Sequence, residues 1–211
     1  MSKRLSRRFY CQPALKVAKE LLGKYLVRRI GQKKLVGKIV ETEAYIGPKD
    51  KASHAYLPPT LRSKAGGGGK ITSRNRAEYL IGGHIYIYLV YGMYWQFNIS
   101  TSFIGKPECV LIRALEPIGV LPLGRDLSLP KGRTPNLTNG PGKLCRWLKL
   151  NKSFYAEDLT KSKRIWLENG EKISVEQVVA AKRIGIDYVG SYWAAKKWRF
   201  YIKGNQFVSV K

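Results

Sequence analysis

Acidic residues are scarce in this chain beside basic ones. Its 211 residues hold 14 Asp and Glu against 39 Lys and Arg, a formal charge of +25. That excess on a folded chain implies a polyanionic partner, nucleic acid ahead of an anionic membrane. Long apolar runs are missing as well: nothing approaches the roughly 20 residues of a spanning helix, so no membrane role is expected. The basic start MSKRLSRRFY lacks the apolar run of a signal peptide. Cys11, Cys109 and Cys145 are scattered and form no CxxC pair. That pattern argues against a disulfide framework and reads as free thiols in a reducing compartment. His54 and His84 add no ligand spacing, so no metal and no other cofactor is expected. Apolar residues are not scarce, at 44%, and the length suits one domain spanning 1–211. There is no internal repeat and no linker marking a second one.

The few acids that exist are oddly placed. GKIVETEAYI, Gly37 to Ile46, reads as a strand, and side-chain alternation puts Ile39, Glu41, Glu43 and Tyr45 on one face. Ionised carboxylates are costly to bury unless paired. Two readings stay open at this point: an edge strand with its polar side in water, or a strand that carries a site.

Along the chain, Pro13 to Leu22 reads as a helix stopped by Gly23. Tyr25–Arg29 and Leu35–Tyr45 read as strands joined at Gly31. Gly47 to Arg76 reads as a long loop holding His54, with Arg74, Asn75 and Arg76 at its far end suited to phosphate contacts. IYIYLVYGMYWQFNIS, Ile85 to Ser100, reads as two aromatic strands about a turn at Tyr91-Gly92. A tyrosine at such a tip is poorly placed for a core and well placed to wedge between bases. CVLIRAL, Cys109 to Leu115, is an apolar strand whose Arg113 needs an anion, Glu43 or a phosphate. Residues 122–139 read as a polar connection, and Gly140-Pro141-Gly142-Lys143 opens a helix as a phosphate site would, without the spacing of a Walker A motif. IWL, VVAAKRIGI, WRFYI and FVSV read as further short strands.

A basic surface, an exposed aromatic at a hairpin tip and a carboxylate beside aromatics suit an enzyme that takes a base out of the stack. Zinc-dependent deamination is disfavoured because its PCxxC signature is missing. Hydrolysis of the base–sugar bond needs only a carboxylate to activate water. A non-catalytic basic nucleic-acid-binding protein is the competing reading. Glu41, Glu43 and Arg113 discriminate, since acids within an aromatic pocket oppose phosphate binding.

VETEAYIGPKDKASH, RNR, YIYLVYGMYWQFNIS, VLIRALEP, GPGKLC, VVAAKRIGI and RFYIKG resemble, in that order, the alkyladenine (3-methyladenine) DNA glycosylase family. The resemblance implies an α+β single domain: a curved antiparallel β core, flanking helices and a protruding hairpin that enters the DNA minor groove. It implies a monomeric, monofunctional enzyme that flips 3-methyladenine, 7-methylguanine, hypoxanthine or ethenoadenine out of double-stranded DNA and leaves an abasic site, with no strand cleavage. Glu43 would activate the water, held with Arg113 and the Ile184 carbonyl. Tyr45 and His54 would stack on one face of the base and Tyr88 on the other. Asn98 would crowd the 2-amino group of guanine, and Tyr91 would fill the gap in the duplex. Met93, Tyr94, Lys143, Arg74 and Arg76 would hold the DNA. The expected compartment is the bacterial cytoplasm, or the nucleus in a eukaryote. The chain departs from the family at Ser73, where proline is usual, and at Glu78-Tyr79, where Met-Phe is usual. Its loop between His54 and Arg74 is longer. All of these departures fall outside the base pocket as the resemblance draws it.

Overall fold

A computed structural model describes residues 4–58, 71–122 and 137–210. Positions 59–70 of the expected long loop and 123–136 of the polar connection lie outside the described residues. The fold is α+β, an open antiparallel sheet with a few short helices. Its centre is β2 (Lys33–Tyr45), joined to β1 (Tyr25–Ile30) through a turn in which Gly31 takes φ 55°. β5 (Cys109–Pro122) pairs with β2 along its whole length, β1 covers the other edge of its first half, and β8 (Arg199–Ile202) covers that edge at Glu41–Glu43. The sheet continues outward through β4 (Tyr94–Ser100) to β3 (Ile85–Val90), and through β1 to β6 (Ile165–Glu168), while β7 (Val178–Ala181) pairs with β8.

The edge-strand reading is therefore overturned. β2 is hydrogen-bonded on both sides, and Glu41 and Glu43 are fully buried. The strict alternation fails too. The ladder slips between Ile39 and Glu41 and again between Glu41 and Thr42, so Ile39 and Val40 both enter the main core, as a bulge allows. The expected FVSV strand is absent: 207–210 is turn and irregular chain, with the Ser209 N–H turned onto Glu41 Oε2 at 2.7 Å.

Helix α1 (Arg7–Tyr10) precedes α2 (Ala14–Glu20), which buries Ala14, Val17 and Ala18. Burial of this kind contributes about 0.8 kcal/mol per CH2 group. Thr42 donates to the Ala18 carbonyl at 2.8 Å, which ties the non-carboxylate side of β2 to α2. The helix ends at Glu20, two residues short of the expected Leu22, and a turn carries the chain to Gly23. Gly23 has φ 81°, and a Cβ there would sit 2.4 Å from the Glu171 carbonyl oxygen. Helix α3 (Pro141–Trp147) buries Leu144 and Cys145 in the same core, and α4 (Ser191–Ala194) follows near the end.

Candidate active site

Three buried acids meet three buried arginines on the carboxylate side of β2. Glu41, Glu43 and Asp50 are fully buried, and Arg113, Arg183 and Arg199 are nearly so. Arg199 Nη1 donates to Glu41 Oε1 at 2.9 Å and to the Val210 carbonyl at 2.8 Å. Arg183 grips Asp50 with both Nη atoms, at 2.6 and 2.9 Å. Arg113 lies between the two glutamates, 3.4 Å from Glu41 Oε1 through Nε and 3.4 Å from Glu43 Oε1 through Nη1. It is the ladder slip that makes this reach possible: Arg113 lies between the paired residues Ile112 and Ala114 with no cross-strand partner of its own. The charges balance, which is the condition for burying carboxylates at all.

Glu43 also accepts from the Ile184 amide at 2.8 Å and from the Tyr45 hydroxyl at 2.8 Å. The observed Ile184 contact is thus through its N–H. Burial, then the Glu43 charge, push the Tyr45 hydroxyl's pKa up, so it stays a donor. Arg183 stacks over Tyr45 with its guanidinium carbon 4.8 Å from the ring centroid, and lies 4.9 Å from the Trp198 ring, so one face of Tyr45 is already covered.

Above this cluster opens a cavity of about 610 Å3, walled by Tyr45, His54, Tyr88, Asn98, Arg113 and Ile184 among others. Ligand pockets fall in this size range. Glu43 lies behind the wall, beneath its own three partners. Asn98 is buried, with Nδ2 donating to the Gln96 carbonyl at 3.3 Å. His54 has one side in solvent, yet its Nδ1 meets the Tyr86 hydroxyl at 2.6 Å and its ring stands edge-on to Tyr88 at 4.6 Å. Desolvation against these rings, and secondarily the Arg74 charge, lowers its pKa to about 4, so the imidazole is neutral at physiological pH. The expected opposite walls, His54 and Tyr88, are therefore in contact.

The mouth is formed by the β3–β4 turn. Tyr91 and Gly92 take φ 52° and 69°, the left-handed pair that a type I′ turn requires, and the Met93 N–H donates to the Val90 carbonyl at 3.1 Å. Tyr91 is 87% exposed. A left-handed non-glycine residue costs on the order of 1–3 kcal/mol, and no packing offsets it here. Met93, Tyr94 and Lys143 are exposed beside it, and Gly142 lets α3 approach so closely that a Cβ there would lie 3.0 Å from the Tyr94 ring. Lys143 Nζ donates to Asn139 Oδ1 at 2.9 Å. Arg74 reaches over Tyr88 at 5.2 Å, and Arg76 is exposed outside the cavity wall. Asn75 between them is buried and latches the loop: Oδ1 accepts from the Thr72 N–H at 2.7 Å, and Nδ2 donates to the His54 carbonyl at 3.3 Å.

One departure from the family lies inside the pocket, contrary to the sequence reading. Glu78, on the 3-10 turn Arg76–Tyr79, lines the cavity and is 1% exposed. A second cavity, about 630 Å3 and mostly apolar, lies against α2 and Phe200. Its acids, Glu20 and Glu171, are exposed, so it lacks a buried carboxyl. Among the described residues no helix is long and apolar enough to cross a membrane.

Sequence reasoning missed Asp50, Arg183, Arg199 and Glu78. Arg183 and Arg199 sit within the VVAAKRIGI and WRFYI segments, but their partners are 133 and 158 residues away.

Comparison with known proteins finds a match to the methylpurine-DNA glycosylase (MPG) family over residues 8–206. The human DNA-3-methyladenine glycosylase is 43% identical over 217 residues, 98% of this chain and 68% of its own length. A Natranaerobius thermophilus protein, provisionally named a 3-methyladenine DNA glycosylase, is 41% identical over 208 residues, 98% of this chain and 99% of its own.

Proposed function

This chain belongs to the methylpurine-DNA glycosylase family and is thus a hydrolytic DNA N-glycosylase, and on that premise we propose that it extrudes alkylated or deaminated purines from duplex DNA into the 610 Å3 cavity and releases them by attack of a Glu43-activated water. The observation that carries the reading is the Glu43 carboxylate, oriented by Tyr45, Ile184 and Arg113 beneath an aromatic cavity. Fixed partners of this kind set a carboxylate for general-base work. Water enters between Arg113 and Ile184 and gives its proton to Glu43, and its oxygen bonds to the sugar carbon. The C–N bond electrons leave with the purine. Methylation at a ring nitrogen has already made that purine cationic, so it departs neutral without further help.

The hairpin tip enters the minor groove and Tyr91 occupies the vacated position in the stack, which accounts for a strained, exposed tyrosine. His54 and Tyr88 part to admit the base, with Tyr45 completing the wall. Asn98, pinned by Gln96, excludes the 2-amino group of normal guanine. Arg74, Arg76, Met93, Tyr94 and Lys143 hold the distorted duplex. No lysine lines the cavity among the described residues, which supports base release without the Schiff-base chemistry of strand cleavage.

The test is single-turnover incubation with duplexes carrying 3-methyladenine or 7-methylguanine. The expected result is free base and abasic sites that break only on alkali treatment. Tight binding with no base release would overturn the reading in favour of a nucleic-acid-binding protein on the same scaffold.

A further inference from the structure

The cavity holds a second carboxyl that water activation does not use. Glu78 Oε1 accepts from the Cys109 thiol at 3.3 Å, while Glu78 Oε2 has no partner. Buried polar atoms are almost always paired, so an orphan oxygen on a residue lining a ligand cavity points to a group supplied by the ligand. Among the described residues no cation forms an ion pair with Glu78. The titratable groups around it are Cys109 on β5, Tyr86 and Tyr88 on β3, and Tyr155, with Arg74 and the neutral His54 on the same cavity wall. This is the reverse of Glu41, Glu43 and Asp50, each of which faces an arginine. Burial pushes the Glu78 carboxyl up to about 8, with the Cys109 contact pulling the other way. Since Oε1 is taken by the thiol, the proton of the neutral acid belongs on Oε2.

The two carboxyls also have separate anchor points. Cys109 lies opposite Tyr45 in the β2–β5 ladder and Leu111 lies opposite Glu43, and a two-residue step along a strand is about 6.7 Å. They share no hydrogen-bond or ion-pair partner. Glu78 lines the cavity directly, whereas Glu43 lies behind Arg113 and Ile184 in its wall.

We propose that Glu78 is the general acid for purines that carry no fixed positive charge, donating the Oε2 proton to a ring nitrogen of the extruded base as the base–sugar bond breaks. The proposal rests on the purine-excising function above and adds to it a proton donor of this chain's own, at a position where methionine is usual in the family, that speeds release of neutral lesions. The balance is simple. The Glu78 O–H bond breaks and a purine N–H bond forms, the C–N electrons go to the purine, Glu43 takes the proton of the attacking water, and Glu78 regains a proton from solvent once the base has left. A cationic 7-methylguanine needs no such proton and is the internal control.

The experiment compares single-turnover release of hypoxanthine and of 7-methylguanine from otherwise identical duplexes by the parent, Glu78→Gln and Glu78→Met. Glutamine keeps the shape and polarity but has no acidic proton, and methionine restores an apolar wall. We expect hypoxanthine release to fall by about 10²-fold in both variants, the lower end of general-acid contributions, with 7-methylguanine release changed by less than about twofold. In the parent, hypoxanthine release should decline as pH rises past about 8, and the variants should lack that limb. Equal losses on both substrates, or a parent hypoxanthine rate that holds through alkaline pH, would overturn the assignment. Failure of the parent to release 7-methylguanine would instead overturn the proposed function itself.

Discussion

Glu43 and Glu78 are buried to almost the same degree around one cavity and have opposite surroundings. Glu43 has an arginine, a backbone amide and a tyrosine hydroxyl. Glu78 has one thiol and an orphan oxygen. Burial alone does not decide what a carboxyl can do. Where a cation and donors were built around it, the carboxylate is held in a fixed orientation and suits taking a proton. Where only apolar and weakly polar walls surround it, the neutral form wins and the group suits giving one.

The largest effect should come from removing the base. Glu43→Gln should slow release of both cationic and neutral purines by on the order of 10²–10⁴-fold while leaving duplex binding intact, measured by single-turnover kinetics and by titration. Retained activity would break the comparison, because Glu43 would then be only another structural acid like Glu41.

The next effect is on stability. Arg113→Leu deprives two buried glutamates of a shared cation, and breaking a buried pair by removing one partner costs about 3–5 kcal/mol, readable by denaturant unfolding. Glu78→Gln should act the other way. The unfolded Glu78 loses its proton near 4.5 and the folded one near 8, so the native state binds more protons between those values and stability falls as pH rises through that window. Glutamine removes that slope, and the variant should gain on the parent progressively up to about pH 8.

Smaller changes should come from the DNA side. Tyr91→Gly relieves a left-handed residue and should leave stability equal or raise it by about 1 kcal/mol, while release from duplex falls more than release from single strands. Salt dependence of binding should show log K falling with log salt by about 0.9 for each phosphate contacted; a flat dependence would detach the +25 charge from DNA.

Much of this was legible in the sequence because it is local. The β2 carboxylates, the aromatic hairpin with its exposed Tyr91, the Gly23 stop and the β1–β2 turn each follow from a few neighbouring residues. What was not legible depends on chain segments far apart. Whether Glu41 sits at an edge or in the interior was settled by β8 and by Arg199, far along the chain. The slip that frees Arg113 to reach both glutamates belongs to a two-strand register that neither strand shows alone. Glu78 comes just after RNR, past the end of the expected loop and outside the base pocket as the resemblance draws it. It turns inward because the Asn75 latch and the Ala77 N–H, donating at 2.9 Å to the Tyr155 hydroxyl, seat the 3-10 turn against β3 and β5.

The most direct measurement is a crystal structure of Glu43→Gln bound to a duplex containing hypoxanthine. The expected structure has the base extruded into the cavity between Tyr45 with His54 and Tyr88, Tyr91 in its place in the stack, and a purine ring nitrogen within hydrogen-bond distance of Glu78. A duplex bound with hypoxanthine still paired and stacked, and the cavity empty of the base, would contradict it.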